Sequence, residues 1–270
     1  KVHTVNRDDI NLDNHPDLMF QRSDTGGLLL WLMDEAFQTS VGAFSPSNPG
    51  SAIWRLAGSG DLNADGNMDL IWQNKQTGDL AYFLMNGPSL IPNGVGFFNP
   101  SRPGPAWKLV SVCDLNGDFS PDLIFQNQTN GYIAYWLMNG TTRVIGGLFS
   151  PYNPGSPAWK LVASYHNYTA NTTTLYFRSA QSGALGYWVM DAGQVMMNSG
   201  LLNPPIMGSP DWRFAALEDV NGDGQPDIVW QNMNTGAVAY WLMNGTSQIG
   251  SDLFYPTNAG YPLWQVAGAH

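Results

Sequence analysis

Apolar positions in this chain fall into short runs separated by turn residues, with no stretch patterned for a helix longer than a turn. Trp54-Arg-Leu-Ala, Leu70-Ile-Trp-Gln73 and Ala81-Tyr-Phe-Leu-Met85 follow one another, and Trp212-Arg-Phe-Ala, Ile228-Val-Trp-Gln231 and Ala239-Tyr-Trp-Leu-Met243 repeat the series. Short apolar runs rich in aromatic and β-branched residues, bounded by Gly, Asn and Pro, predict strands. Thr77-Gly78 and Thr235-Gly236 separate the second run from the third, and Asn86-Gly87 and Asn244-Gly245 follow the third. Asn-Gly is the strongest short hairpin signal. A weaker fourth strand then leads into a Pro-rich connection such as Phe149-Ser-Pro-Tyr-Asn-Pro-Gly155.

The series is periodic. Trp54, Trp107, Trp159, Trp212 and Trp264 are spaced by 53, 52, 53 and 52 residues. This divides the chain into five copies, 2–53, 54–106, 107–158, 159–211 and 212–263, within one domain spanning 1–270. Four antiparallel strands per unit of about fifty residues predict the blade of a β-propeller. The expected fold is all-β, a five-bladed β-propeller. The third strand is apolar on both faces, as a blade packed between two neighbours requires. Residues 264–270 are the expected closing strand: 264–269 pair beside Leu18–Gln21 as the innermost strand of the first blade, leaving residues 1–8 displaced, paired alongside or mostly disordered.

Between first and second strands stands an acidic loop. Asp219, Asn221, Asp223 and Asp227 occupy its first, third, fifth and ninth positions, with Gly224 at the turn. Asp61, Asn63, Asp65 and Asp69 repeat this grammar, as do Asp114, Asn116, Asp118 and Asp122, and Asp9, Asn11, Asp13 and Asp17. Alternate oxygen-bearing side chains on a curled loop suit Ca²⁺, which takes six to eight oxygen ligands in a flexible cage. One such loop alone also reads, less completely, as an Asx-turn; four in register predict about four structural Ca²⁺ ions per chain. The fourth copy has His166, Tyr168, Ala170 and Thr174 instead, so no metal is expected there and His166 reads as an ordinary loop histidine.

The loops account for the net charge of −10: they hold twelve of the 21 acids, leaving nine against eleven Lys and Arg. No basic stripe with interleaved aromatics argues for nucleic acid, and no apolar run is long enough to span a membrane. The single Cys113 excludes an internal disulfide framework. Lys1-Val-His-Thr does not begin a signal peptide, although numbering from a cleavage point is compatible with it. Calcium loops and five Asn-x-Thr sequons (at Asn127, Asn139, Asn167, Asn171 and Asn244) favour a secreted, extracellular glycoprotein, a monomer by expectation; Asn-Gly sequons are also what a hairpin turn wants.

The loop Asp-x-Asn-x-Asp-Gly-x-x-Asp followed by Leu/Ile-Ile/Val-Trp/Phe-Gln, as in Asp219 to Gln231 and Asp61 to Gln73, resembles the FG-GAP repeats of integrin α-subunits and many secreted proteins. The resemblance covers essentially the whole chain and implies a propeller with Ca²⁺ in loops on one face. Five copies depart from the seven of the integrin type and resemble compact lectin propellers. The resemblance implies no single function, because such repeats serve lectins, adhesion modules and accessory domains.

An enzyme would need a cluster that departs from the repeat. His3, His15, His166 and His270 are scattered, no nucleophile arrangement is readable, and no catalytic residue is expected. The expected function is multivalent binding of carbohydrate or glycoprotein at sites between blades, where shallow repeated pockets gain from avidity. The expected ligand-binding residues are Asn74, Asn127 and Asn232, Tyr82, Tyr135 and Tyr240, with Trp107, Trp159 and Trp264 at the same rim. A protein-binding adhesion propeller and an accessory domain of a polysaccharide-acting enzyme are the alternatives.

Overall fold

A computed structural model of the chain describes residues 8–260 and 263–267. It is all-β; among the described residues no helix forms. Each repeated Trp opens a strand, and strands pair antiparallel within each copy.

In the first copy β1 (Leu18–Arg22), β2 (Leu28–Asp34) and β3 (Phe37–Gly42) pair in order. The second contains β4 (Trp54–Gly60), β5 (Asp69–Asn74), β6 (Leu80–Asn86) and β7 (Ser89–Phe97). β8 (Trp107–Cys113), β9 (Asp122–Asn127), β10 (Ile133–Asn139) and β11 (Thr142–Leu148) make the third. The fourth has β12 (Trp159–Asn167), β13 (Thr172–Ser179), β14 (Ala184–Met190) and β15 (Met196–Ile206). β16 (Trp212–Glu218), β17 (Asp227–Asn232), β18 (Ala237–Asn244) and β19 (Ser247–Asn258) form the fifth. The last strand, β20 (Trp264–Val266), pairs antiparallel with β1, Phe20 facing Val266 and Arg22 facing Trp264. The Ala267 amide continues this pairing to the Met19 carbonyl at 2.9 Å. Residues 1–7 and 268–270, to which the expected N-terminal displacement and the end of the closing strand were assigned, lie outside the described residues.

The Trp-led strands share one irregularity. Register slips between Leu56 and Gly58, Leu109 and Ser111, Leu161 and Ala163, and Phe214 and Ala216. An extra residue at the same place bends each strand alike, and these strands lie against one another: β4 against β8, β8 against β12, β12 against β16.

The core sits between copies. Five clusters each join consecutive copies, among them Phe20, Trp31, Val229 and Val266, which join the fifth to the first. Apolar side chains on both faces of the middle strands fill them, so β5 and β9 are buried along their whole length. A second linkage runs outside. The Pro-rich connection bridges in parallel to the next copy, Ser45 to Ser89, Asn99 to Thr142, Ser150 to Val195 and Asn203 to Ser247. Tyr255 makes the equivalent bridge to Phe37, its amide donating to the Ala36 carbonyl at 2.9 Å.

His166 departs from the expected loop position. β12 and β13 extend into a tight hairpin in which Asn167 pairs Thr172, so His166 is a buried strand residue with Nδ1 3.0 Å from Thr173 Oγ1. Without the acidic side chains nothing holds a wide loop open, and the two strands zip further.

Candidate metal loops and aromatic pocket

The four acidic loops fold alike. The first-position carboxylate accepts the amides of the fifth and sixth positions: Asp9 those of Asp13 and Asn14 at 3.1 and 2.9 Å, Asp219 those of Asp223 and Gly224 at 3.0 and 2.9 Å. The third-position Asn donates Nδ2 to the fifth-position carboxylate, as Asn63 does to Asp65 and Asn116 to Asp118, both at 2.9 Å. The sixth position is left-handed in every loop. Gly66 and Gly224 adopt it freely, Asn14 tolerates it, and Phe119 takes it with φ 66°.

The ninth-position Asp closes the loop from beneath, one oxygen on the loop's own second amide and the other on the third strand. Asp17, Asp69, Asp122 and Asp227 are 0% exposed. Asp69 accepts the Leu62 amide and the Met85 amide, each at 2.8 Å; Asp227 accepts those of Val220 at 3.0 Å and Met243 at 2.7 Å. Asp17 does the same with Ile10 and Met33, and Asp122 with Leu115 and Met138. Both oxygens thus tie the loop to the third strand. Burial pushes these carboxyls up, to about 7 for Asp17, Asp122 and Asp227 and about 6 for Asp69, against the lowering effect of the two amides.

That arrangement bears on the ion. Among the described residues no three His, Cys, Asp or Glu side chains gather as a metal-holding group, and the ninth-position acid of each loop has both oxygens engaged by backbone amides. The Asp-Asn-Asp set that remains at positions one, three and five is all hard oxygen and suits Ca²⁺ by its chemistry. Its acids also repel one another. Burial raises the Asp219 carboxyl and the charge of Asp223 adds to it, and burial and Asp13 do the same for Asp9.

At the opposite end of the strands, the Thr-Gly turns meet the Pro-rich connections. The Leu80 amide donates to Ser101 O at 2.6 Å and Asn48 Nδ2 to Thr25 O at 2.9 Å. Asn74, Asn127 and Asn232 stand here, but their carbonyl oxygens cap the turns. Asn127 Oδ1 accepts the amides of Thr129 and Asn130 at 2.9 and 3.2 Å; Asn74 and Asn232 repeat the pattern, and Ser179 Oγ substitutes in the fourth copy. Tyr82, Tyr135 and Tyr240 lie partly buried against the clusters between copies, edge-on to Phe98, Phe149 and Phe254. Tyr135 pairs Gly147 across the sheet and lies flat over it: a Cβ on Gly147 would come within 2.9 Å of the hydroxyl. Trp107 and Trp264 are half-buried and pack on neighbouring clusters.

Trp159 is placed differently. With Phe177, Tyr187, Trp188 and the Ser199-Gly200 backbone it lines a cavity of about 310 Å³. Tyr187 is the fourth copy's counterpart of Tyr82, Tyr135 and Tyr240; the repeat alone was signal enough to include it among the candidates, and the sequence reading left it out.

The second-strand Gln was also missed. Gln73 Nε2 donates to Trp107 O at 2.9 Å while its Oε1 accepts the Leu109 amide at 3.0 Å, so its side chain pairs with the next copy's first strand. Gln21 grips Trp54 and Leu56 in this way, and Gln126 grips Trp159 and Leu161. The fourth copy has Arg178, whose guanidinium sits 5.7 Å from the Trp230 ring centre.

No protein-family profile matches the chain, and no curated protein matches it. Among solved structures it is similar to a chain in the crystal structure of a nidogen/laminin complex, with 13% identity, a TM-score of 0.42 and coverage of 68% of this chain. The matched region spans 60% of that chain's length.

Proposed function

We propose that the chain is a secreted five-bladed β-propeller of FG-GAP-like type that binds carbohydrate at sites between blades and performs no chemistry. The five clusters and five parallel bridges, each with a member returning from the fifth copy to the first, support a closed ring of blades. The aromatic cavity lined by Trp159 and Tyr187 of the fourth copy, with Pro154 of the connection from the third, carries the binding reading. Its volume lies at the lower end of the range for ligand sites, and its aromatic faces with Ser199 and backbone groups offer what a sugar ring needs: apolar surface for C–H groups and polar atoms for hydroxyls.

Four loops would hold Ca²⁺ through Asp9, Asn11 and Asp13, through Asp61, Asn63 and Asp65, through Asp114, Asn116 and Asp118, and through Asp219, Asn221 and Asp223. When bound, the ion supplies charge neutralisation and loop rigidity. The ninth-position carboxylates position the loops from beneath by holding two backbone amides each.

A protein-binding adhesion propeller is the second reading. The outermost strands expose Phe37, Val95, Phe97, Val144, Met197 and Ile249, each more than half accessible, so every copy offers apolar contacts at the rim. A glycan array probed with the chain in calcium and again after chelation separates the two. Saccharide hits support the lectin, while a blank array beside a tight protein partner supports the adhesin.

A further inference from the structure

The second residue of each Trp-led strand is a cation in four copies: Arg55, Lys108, Lys160 and Arg213, with Gln265 at the fifth place. They stand at one register, opposite Gln73, Gln126, Arg178, Gln231 and Gln21. Since these strands pack side by side, their second residues are brought together. Arg55 Nη2 reaches across to Leu109 O on β8 at 2.7 Å, and Arg213 Nη2 to Val266 O on β20 at 3.0 Å.

Lys108 reports what the enclosure is like. Its side chain is open to solvent, yet protein surrounds it. Desolvation first, and then the charges of Arg55, Arg213 and Lys160, push its ammonium down to about 8. Burial likewise lowers the Arg55 guanidinium. None of the ion pairs among the described residues involves Arg55, Lys108 or Lys160. Lys160 also lines a cavity of about 520 Å³ with Arg178, Ser179, Gln181 and Ser182, and no acidic residue contributes to that lining. Like charges brought together on facing strands repel one another. A fold that keeps Arg55, Lys108 and Lys160 on facing strands, and adds Arg178 where its other copies have Gln, gains if an anion sits among them.

We propose that Arg55, Lys108, Lys160 and Arg213 form an oxyanion-binding site, extended by Arg178 into the adjoining cavity, that takes a sulfate, phosphate or carboxylate group, free or carried on a saccharide. The site is separate from the Trp159 pocket and does not depend on the carbohydrate reading.

Titration with sodium sulfate and with inorganic phosphate, against sodium chloride at equal ionic strength, tests it by calorimetry and thermal unfolding. The expected result is saturable binding with a rise in melting temperature, weakened at least tenfold in Lys108→Gln and in Lys160→Gln and unchanged in Lys75→Gln, an exposed lysine that bonds the Ala52 carbonyl. Lys108→Gln should also melt no lower than the parent without anion, because it relieves repulsion. Should a variant fail to fold, lysine-resolved NMR of the parent decides, with the Lys108 signal shifting saturably on sulfate. A sulfated monosaccharide that competes with sulfate where its neutral parent does not assigns the saccharide-borne source; failure to compete assigns the free ion. A linear, non-saturable response, saturable binding indifferent to both substitutions, or an unmoved Lys108 signal overturns the site.

Discussion

Gln231 holds Trp264 across the junction between the fifth copy and the first: Nε2 donates to the Trp264 carbonyl at 3.1 Å and Oε1 accepts the Val266 amide at 3.0 Å. One side chain thereby replaces a strand partner for β20, and the backbone groups it satisfies lie where water has little access. Removing it as Gln231→Ala strands both. A buried group left unsatisfied costs about 1–3 kcal/mol, so the melting temperature should fall by several degrees, while Gln181→Ala at an exposed turn should leave it in place. Equal melting of the two variants would show that the side-chain staple contributes nothing.

Truncation after Leu263 removes β20 together with its contacts to Phe20 and Val229 in the cluster between fifth and first copies. The truncated chain should melt many degrees lower or aggregate, since an apolar face loses its cover. Size-exclusion chromatography with thermal unfolding checks this. A truncated chain as monomeric and as stable as the parent would leave closure to the Tyr255 bridge alone.

The loops should couple stability to calcium and to pH together. Asp17, Asp122 and Asp227 are raised to about 7 in the fold from an ordinary 3.8, and Asp69 to about 6. A raised carboxyl favours the fold below its unfolded value and loses that contribution as pH climbs through its folded value. The ion-free chain should therefore lose stability between about pH 4 and pH 7. Calcium opposes the loss, adding about 2.7 kcal/mol per site at a hundredfold excess over its dissociation constant. Melting curves with and without chelator should diverge more at pH 8 than at pH 5; a gap that is constant or widest at acid pH contradicts this.

Binding and turn roles separate by mutation. Tyr187→Ala opens one wall of the Trp159 cavity and should weaken saccharide binding with little effect on folding. Asn127→Ala removes the cap on the amides of Thr129 and Asn130 and should cost about 1 kcal/mol of stability with binding at the Trp159 cavity intact. Calorimetry on both variants, beside their melting curves, distinguishes these. The opposite pattern would return the turn asparagines to the ligand site.

Much of this was legible from spacing alone. The five Trp that set the period each begin a strand, and the Asn-Gly and Thr-Gly pairs fall at turns, because these signals act over a few residues. What escaped depends on partners far apart in sequence. The ninth-position Asp has the spacing of a ligand, and its second task, joining the Leu62 amide of the loop to the Met85 amide of the third strand, shows only once that strand is placed. The repeated Gln reads as the polar end of a strand until the next copy's Leu and Trp are placed beside it. His166 was misplaced because the loss of the acids lengthens the neighbouring strands, a consequence visible only once their pairing is known. The nearness of Lys108 to Arg55 and Lys160 likewise follows from strand packing and from no local pattern.

Native mass spectrometry of the intact chain, saturated with calcium and with the best saccharide from the array, counts ions and sugars in one spectrum. The chain should carry four calcium ions and at least one saccharide, and chelation should remove the ions. One ion or fewer, with no saccharide retained, would contradict the calcium-containing lectin.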